Sequence, residues 1–158
     1  MGKAYIRYDS LGRRELWKDE DLLMSDTHLE ERGDYEELIE KCQGDVLMLG
    51  LGLGTVNPKL DYTRINSVEI VELHPDVIEV VAERFPKTKV LQGDARTYQT
   101  EKKYDVIWID IWDDITIKKL PEMNEMIDHW KGHLKPMGWI DCFYRKQLQE
   151  EADFQKGE

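Results

Sequence analysis

The chain has 158 residues, which is enough for one compact domain but leaves little room for a second. Hydrophobic residues make up 41% of it and charged residues 35%, the balance of a globular chain rather than a disordered one. Its net charge of −11, with no run of Lys and Arg longer than two residues, disfavours a nucleic-acid partner, because a duplex-binding surface must be basic enough to displace counterions.

The N-terminal sequence, MGKAYIRYDS, lacks the apolar core of a signal peptide. No apolar run anywhere in the chain approaches the roughly 20 residues of a membrane span. We therefore expect a cytoplasmic protein with no membrane partner.

Two short strands are predicted first, over residues 4–8 and 14–18, on either side of the turn-forming Ser10-Leu11-Gly12. They form an N-terminal β-hairpin, followed by a loop over 19–24.

Helices and strands alternate in the rest of the chain. Thr27 and Glu30 resemble a capping box, which predicts a helix from about 27 to 42. Five apolar strands are predicted over residues 45–49, 67–71, 88–91, 104–109 and 138–143. Further helices are predicted over 54–60, 75–84, 94–98, 118–133 and 145–156. Strands separated by helices form a parallel sheet with right-handed crossovers.

The predicted fold is therefore α/β, a Rossmann-like doubly wound parallel sheet in the order 3-2-1-4-5. We expect a single ligand-binding domain over 1–158, with the hairpin segment at 1–24 and the Rossmann-like core at 25–158.

Cys42 and Cys142 lie far apart in sequence and outside any CxxC pattern. We expect both thiols to be reduced and structural.

The segment 45–72 is the most informative part of the chain, because it reads as a buried strand, a glycine turn and a second strand ending in an acid. Gly50, Gly52 and Gly54 alternate, and glycine lets a backbone approach a ligand where a Cβ would collide. A dinucleotide site has the pattern G-x-G-x-x-G, whose last glycine would fall at Thr55. The observed spacing favours S-adenosylmethionine over a pyrophosphate cofactor. A generic tight turn, with glycines present only for packing, is the alternative.

Glu72 closes the second strand, 18 residues after Gly54, close to the usual interval for an acid that accepts hydrogen bonds from ribose hydroxyls. At a strand tip we expect it near solvent, so that its removal should affect binding more than folding. Glu69 is a weaker candidate because it lies in mid-strand. Leu51 in the turn and Leu73 after the acid complete this part of the predicted cofactor site.

Asp94 follows the third strand in the sequence LQGDA. Its carboxylate can accept a hydrogen bond from an adenine amino group, while the backbone N–H of Ala95 meets a ring nitrogen. Asp is also a good helix N-cap, and the two roles are compatible. We predict that both residues bind the cofactor.

The fourth strand ends in IDIWDD, which places Asp110, Trp112 and Asp113 at the crevice where strand order reverses. Carboxylates there can hold a cationic amine or take a proton from an acceptor, and an indole can stack on a base or face a cation. We predict that Asp110 and Asp113 are catalytic and that Asp110 and Trp112 also contact the cofactor. A solvated acidic loop is the alternative.

His129 and His133 stand four apart on a predicted helix, which is a metal-ligand spacing. No third ligand is evident, so no metal is expected.

Together these residues resemble a class I S-adenosylmethionine-dependent methyltransferase, and most closely its spermidine synthase-like branch, over about residues 10–145. VLMLGLGLG resembles the family's glycine motif, VEIVELHPDVIEV its ribose-acid strand, VLQGDARTY its adenine motif and YDVIWIDIWDD its fourth strand and loop. The resemblance implies S-adenosylmethionine as cofactor. It also implies that Asp110 matches the catalytic aspartate and Asp113 the second one.

Several features differ from spermidine synthases. Leu23 stands where those enzymes typically have glutamine, and the loop after the fourth strand reads DIWDDI instead of a sequence like DSSDP. The leading hypothesis is therefore methyl transfer to a small-molecule acceptor, which Asp110 orients or deprotonates and Asp113 helps to hold. The acidic balance of the chain suits a small or a cationic substrate. The alternatives are aminopropyl transfer from decarboxylated S-adenosylmethionine, and a non-catalytic nucleoside-binding or assembly module.

Nothing after residue 143 resembles the family's sixth and seventh strands, so the sheet is expected to be truncated after its fifth strand. Strand 138–143 would then be an apolar edge, which proteins normally cover or charge. Leu148 and Phe154 of the last helix stand six apart and cannot share one helical face, so this helix would cover the edge incompletely. A homodimer is therefore predicted.

Overall fold

Two β-sheets organise the chain. The structure is a computed structural model, and it describes residues 3–25, 35–52, 54–81, 85–112 and 115–157. Within these ranges a five-stranded parallel sheet forms the core, and a three-stranded antiparallel sheet is built from the N-terminal residues.

The core sheet has the predicted topology. Its strands are β4 (Gly44–Leu49), β5 (Ile65–Glu72), β6 (Thr88–Gln92), β7 (Tyr104–Ile109) and β8 (Leu134–Cys142). They are parallel and lie in the order β6-β5-β4-β7-β8, which is 3-2-1-4-5 in chain order. The doubly wound α/β prediction is confirmed. The central strand β4 is buried on both faces because its residues from Val46 to Leu49 are all apolar.

The N-terminal sheet has three strands: β1 (Ala4–Tyr8), β2 (Arg14–Lys18) and β3 (Asp21–Ser25). The predicted hairpin of β1 and β2 is confirmed. The predicted loop over 19–24 is wrong, because the chain reverses at Asp19 and pairs antiparallel with β2, with Met24 opposite Leu16. Asp19 has a φ of 55°, a left-handed conformation that Asp tolerates better than most residues and that permits the tight turn.

The helices are α1 (Glu36–Lys41), α2 (Pro75–Val81), α3 (Leu120–Trp130) and α4 (Arg145–Lys156). Short 3₁₀ turns at Ile117–Lys119 and Lys131–His133 extend α3 in both directions, so the predicted helices over 118–133 and 145–156 are confirmed. The Thr27–Glu30 capping box lies outside the described residues, as do 82–84. No helix in the described ranges is long and apolar enough to cross a membrane.

Two predicted helices are wrong. Residues 54–60 contain only a 3₁₀ turn at Asn57–Lys59, because Pro58 lacks the N–H that a longer helix would need. Residues 94–98 form a single turn, in which the carbonyl oxygen of Asp94 accepts hydrogen bonds from the backbone N–H groups of Thr97 and Tyr98.

The N-terminal sheet docks on α2. The backbone N–H of Ala4 donates to Asp76 Oδ2 at 2.9 Å, and Lys18 Nζ lies 3.2 Å from the same carboxylate oxygen. The apolar face of this sheet shares one core layer with α1, α2 and one face of the parallel sheet, while α3 and α4 cover the other face. This docking places β3 at the carboxyl end of the parallel strands.

The edge strand β8 is irregular. Its register with β7 shifts between the pairs Tyr104–Leu134 and Val106–Trp139. Pro136 lies in this shift, and Met137 there has a φ of 66° and a fully exposed side chain. A bulge and a proline both interrupt edge pairing. The predicted apolar edge is therefore less open than its sequence suggests.

Candidate functional site

A cleft of about 650 Å³ opens where the parallel strands end. Ligands of doubly wound sheets bind at this edge, and the volume lies in the range of small-molecule sites. Residues that follow the strands supply most of its lining: Gly50, Gly52, Glu72, Leu73, His74, Gly93, Asp94, Ala95, Arg96, Asp110, Ile111, Trp112, Ile115, Phe143 and Tyr144. Leu16, Val77 and the β3 residues Leu22–Ser25 complete the walls. The structure thus brings eight of the ten predicted cofactor residues together.

The glycine turn allows three close approaches. Gly50 has a φ of 105°, and a Cβ on it would lie 2.1 Å from the carbonyl oxygen of Asp110. A Cβ on Gly52 would lie 2.5 Å from Met24 Sδ. Side chains at these two positions would separate β4 from the loop after β7 and from β3, which border the cleft. Gly54 packs against Phe85 instead and is not among the cleft-lining residues.

Glu72 is buried, with only 7% of its surface exposed, so the expectation of a solvent-near side chain is wrong. Its Oε1 accepts hydrogen bonds from the backbone N–H of Leu51 at 3.0 Å and of Gly52 at 3.4 Å. Its Oε2 accepts one from the backbone N–H of His74 at 3.0 Å. One carboxylate therefore holds the glycine turn to the start of α2. Leu51, which does not line the cleft, contributes to the site through this bond.

Glu69 belongs to a separate polar cluster. Tyr104 Oη donates to its Oε2 at 2.5 Å, and Lys102 Nζ donates to its Oε1. Burial raises the pKa of Glu69, the hydrogen bonds from Lys102 and Tyr104 lower it, and the net shift is downward. Burial and the neighbouring carboxylate also raise the pKa of Tyr104. Glu69 does not line the cleft, so of the two acids only Glu72 faces it.

Asp94, Ala95 and Trp112 form the side of the cleft near β6. Asp94 Oδ1 accepts a hydrogen bond from the backbone N–H of Arg96 at 2.9 Å, so the carboxylate caps a turn and also lines the cleft. Ala95 is buried, and its carbonyl oxygen accepts a hydrogen bond from Trp130 Nε1 at 3.2 Å. This bond fixes the turn against α3. Trp112 is 8% exposed.

Asp110 lies directly after β7, beside the glycine turn, and its backbone N–H donates to the carbonyl oxygen of Leu49 at 2.8 Å. Tyr35 Oη donates to Asp110 Oδ2 at 3.3 Å. The Tyr35 ring is itself buried, with its centroid 5.2 Å from that of Phe143 and 6.1 Å from that of Trp108. The carboxylate thus contacts a tyrosine that is packed in an aromatic cluster. Asp113 lies outside the described residues.

Several residues in or beside the cleft were not predicted from the sequence. Tyr35 fell inside a predicted helix, and its contact with Asp110 joins residues 75 apart, for which a single sequence carries no signal. Phe143 is the last residue of a predicted strand and Tyr144 follows it, so the strand-end rule that selected Asp110 could have found them. The β3 residues were assigned to a loop. His74, directly before the predicted helix over 75–84, also lines the cleft.

Cys42 and Cys142 are unpaired and buried, as predicted. Burial raises the pKa of the Cys42 thiol to about 11 and also raises that of Cys142.

The ring centroids of His129 and His133 lie 6.2 Å apart, and His133 Nδ1 lies 3.3 Å from the carbonyl oxygen of Lys102. Within the part of the chain that the structure describes, no three His, Cys, Asp or Glu side chains are grouped as metal ligands.

No protein-family model and no curated protein matches this sequence. Solved structures do match it. The DhpI–SAH complex superposes with a TM-score of 0.60 at 16% identity, over 74% of this chain and 58% of that one. The N-methyltransferase NodS from Bradyrhizobium japonicum WM9 gives 0.55 at 17%, over 73% and 68%. The CcbJ methyltransferase from Streptomyces caelestis gives 0.50 at 20%, over 62% and 41%.

The chain spans less than two thirds of the DhpI and CcbJ chains that it matches. At these identities the likeness is one of fold. The five-stranded parallel sheet matches the Rossmann-like folds of these methyltransferase structures.

Proposed function

We propose that this chain is an S-adenosylmethionine-dependent methyltransferase that acts on a small molecule. The observation that carries the proposal is the position of Glu72, which holds the glycine turn by its carboxylate and faces the same cleft as Asp94 and Asp110. Similar structures support it by name: a DhpI–SAM–HEP complex, the glycopeptide N-methyltransferase MtfA and the N-methyltransferase NodS.

The residues of the cleft fit a nucleoside cofactor. A carboxylate has about four lone-pair positions, and the backbone donors of Leu51, Gly52 and His74 occupy three of those on Glu72. One position is left for a ribose hydroxyl. The 3.4 Å bond from Gly52 is the longest of the three, so it is the one most easily exchanged for a second hydroxyl.

Asp94, Ala95 and Trp112 would hold the adenine. The Asp94 carboxylate can accept from the exocyclic amine while it caps its own turn. The Ala95 backbone is fixed by Trp130, so its N–H is held in one place. The buried indole of Trp112 offers an apolar wall beside them. The cleft volume of about 650 Å³ is adequate for a ligand of this size.

Catalysis would depend on alignment of the acceptor. Bound S-adenosylmethionine supplies a methyl group that its sulfonium already activates. Asp110 would orient the acceptor and accept its proton, and the bond from Tyr35 fixes the angle of the carboxylate. Met24 and Phe143 border the same space and give it an apolar wall. Asp113 is proposed as the second carboxylate, three residues further on.

The charges of the cleft favour a cationic acceptor. Among the described lining residues Glu72, Asp94 and Asp110 are acidic. The one guanidinium there, on Arg96, is paired with Glu122 at 2.5 Å. An anionic acceptor would therefore meet an unfavourable potential, whereas an amine would be attracted.

The same charges support a second candidate, aminopropyl transfer, and with it the spermidine synthase-like branch. S-adenosylmethionine has an amino-acid carboxylate that needs a donor, and among the described lining residues only Arg96 and His74 carry basic side chains. Decarboxylated S-adenosylmethionine lacks this carboxylate and would need no such partner.

Calorimetry with four ligands tests the proposal. We expect S-adenosylmethionine and S-adenosylhomocysteine to bind and NAD not to bind, because Thr55 stands in place of the third dinucleotide glycine. Binding of NAD without S-adenosylhomocysteine would refute the proposal. Tighter binding of decarboxylated S-adenosylmethionine than of S-adenosylmethionine, by roughly tenfold or more, would favour aminopropyl transfer. Transfer of a labelled methyl group to a panel of amines then tests activity directly.

A further inference from the structure

Tyr144 has an unusual backbone conformation at the edge of the cleft, with a φ of 64° and a ψ of 9°. Four described non-glycine residues have a positive φ: Asp19, Lys87, Met137 and Tyr144. Of these only Tyr144 lines the cleft. This left-handed region is unfavourable for bulky side chains, and such strained residues cluster at active sites and ligand-binding regions.

A partly buried ion pair holds the backbone on either side of Tyr144. Asp141 is only 4% exposed. Its Oδ1 accepts hydrogen bonds from the backbone N–H of Cys142 at 2.8 Å and from Arg145 Nε at 2.6 Å. These donors lie on either side of Tyr144 in the chain. The carbonyl oxygen of Tyr144 also accepts the first bond of α4, from the N–H of Leu148 at 3.1 Å.

The order of the strands places Tyr144 in one half of the cleft. It follows β8, which lies next to β7 and four strands from β6. With roughly 4.8 Å between neighbouring strands, Tyr144 is near Asp110 but about 19 Å from Asp94. The Phe143 ring lies between Tyr144 and the partner of Asp110. Its centroid is 6.2 Å from that of Tyr144 and 5.2 Å from that of Tyr35, which donates a hydrogen bond to Asp110.

We propose that Tyr144 is the side chain that determines which acceptors fit beside Asp110, with Asp141 and Arg145 as its positioning pair. This inference rests on the proposed function, because it concerns the acceptor half of the same cleft. Glycine would adopt this backbone conformation without strain. The presence of tyrosine instead indicates that its ring is needed there, as a wall that limits the size of the acceptor.

The test measures binding of three amines to the protein loaded with S-adenosylhomocysteine: benzylamine, 3-phenylpropylamine and 1-naphthylmethylamine. The main variant is Tyr144→Gly, which removes the ring and relieves the backbone, so it should fold. We expect the ratio of naphthyl-amine affinity to benzylamine affinity to be at least about tenfold higher in this variant than in the wild type. The reason is that the second naphthyl ring can occupy the space that the phenol ring leaves.

Two controls accompany this variant. Tyr144→Phe keeps the ring and should keep the wild-type ranking of the three amines. Tyr8→Ala removes an exposed tyrosine of β1 that does not line the cleft, and should change nothing. In every variant the affinity for S-adenosylhomocysteine should stay within about twofold of wild type, since Tyr144 is remote from the nucleoside residues.

An unchanged ranking in Tyr144→Gly would overturn the inference, as would a ranking that changes equally in Tyr8→Ala. A parallel loss of S-adenosylhomocysteine affinity would place Tyr144 in the cofactor site instead. If the wild type binds S-adenosylhomocysteine but none of the amines at millimolar concentration, the acceptor role is refuted while the cofactor site stands. Failure of the wild type to bind S-adenosylhomocysteine refutes the proposed function itself, and that arm is measured separately.

Discussion

Replacement of Glu72 by alanine should weaken both the fold and cofactor binding. The carboxylate accepts backbone hydrogen bonds from Leu51, Gly52 and His74 at 3.0, 3.4 and 3.0 Å. A hydrogen bond to a charged group contributes about 1.5–3 kcal/mol, and a buried donor left without a partner costs a similar amount. Leu51 is 7% exposed, so water cannot easily replace its lost bond.

Water can reach the other two donors in part, and the bond from Gly52 is long. We therefore expect Glu72→Ala to lower the free energy of unfolding by about 2–4 kcal/mol, from a total of about 5–15 kcal/mol for a domain of ordinary stability. The variant should remain folded at room temperature. Loss of the ribose acceptor should then weaken S-adenosylhomocysteine by about 1.5–3 kcal/mol, roughly 10- to 150-fold.

Urea denaturation measures the first effect and calorimetry on the folded variant measures the second. Glu69→Ala is the matched control, because Glu69 is a buried acid of the same strand whose partners, Lys102 and Tyr104, lie outside the cleft. It should destabilise the protein and leave S-adenosylhomocysteine affinity unchanged. If Glu72→Ala unfolds as wild type does, the carboxylate does not hold the turn. If Glu69→Ala has the larger effect on binding, the assignment of the ribose acid is wrong.

Three further predictions follow from the site and its surroundings. Asp110→Asn should lower turnover of an accepted amine more than it weakens S-adenosylhomocysteine, because an amide cannot accept the proton; equal losses would place Asp110 in the cofactor site. Hydrogen bonds from Lys135, and from Asn66 and Ser67, lower the pKa of Asp45 to about 2, so the stability it contributes is complete above about pH 4 and is lost as the pH falls towards 2. With its side chain 30% exposed, Asp45→Asn should cost about 1–2 kcal/mol at pH 7 and flatten this acid limb in urea titrations. Light scattering at micromolar concentration should show a homodimer, because β8 is an edge strand of the described sheet and a partner would cover what its bulge and proline leave open; a monomer near 18.7 kDa would refute this expectation.

The strands of the core sheet were predictable because each is a short continuous apolar run between polar turns. Such runs are typical of parallel strands buried on both faces. The apolar run from Val46 to Leu49 therefore predicted the central strand directly, and all four residues are buried. The handedness of crossovers limits the possible orders of the strands, and a doubly wound sheet opens its crevice where that order reverses. The clustering of Gly50, Glu72, Asp94 and Asp110 at one edge required no contact information.

Features that depend on contacts distant in sequence were not predictable in this way. The strand β3 exists because Asp19 turns the chain and because its apolar residues pack with Leu16, while the local sequence reads equally well as a loop. Tyr35 contacts Asp110 across 75 residues. The burial of Glu72 depends on the glycine turn, whose residue Gly52 lies 20 positions earlier and donates its backbone N–H to the carboxylate. In each case tertiary contacts decide what local propensity leaves open.

The glycine motif also shows how a packing role and a binding role can coexist. Each glycine has a structural reason that involves no ligand, since a side chain would strike Asp110 at Gly50, Met24 at Gly52 and Phe85 at Gly54. For Gly54 the packing explanation is sufficient, because this residue does not line the cleft. For the first two the contacted residues themselves line it. The close packing that requires glycine is therefore what brings Asp110 and β3 to the nucleoside turn, so the same two positions serve the fold and the proposed site.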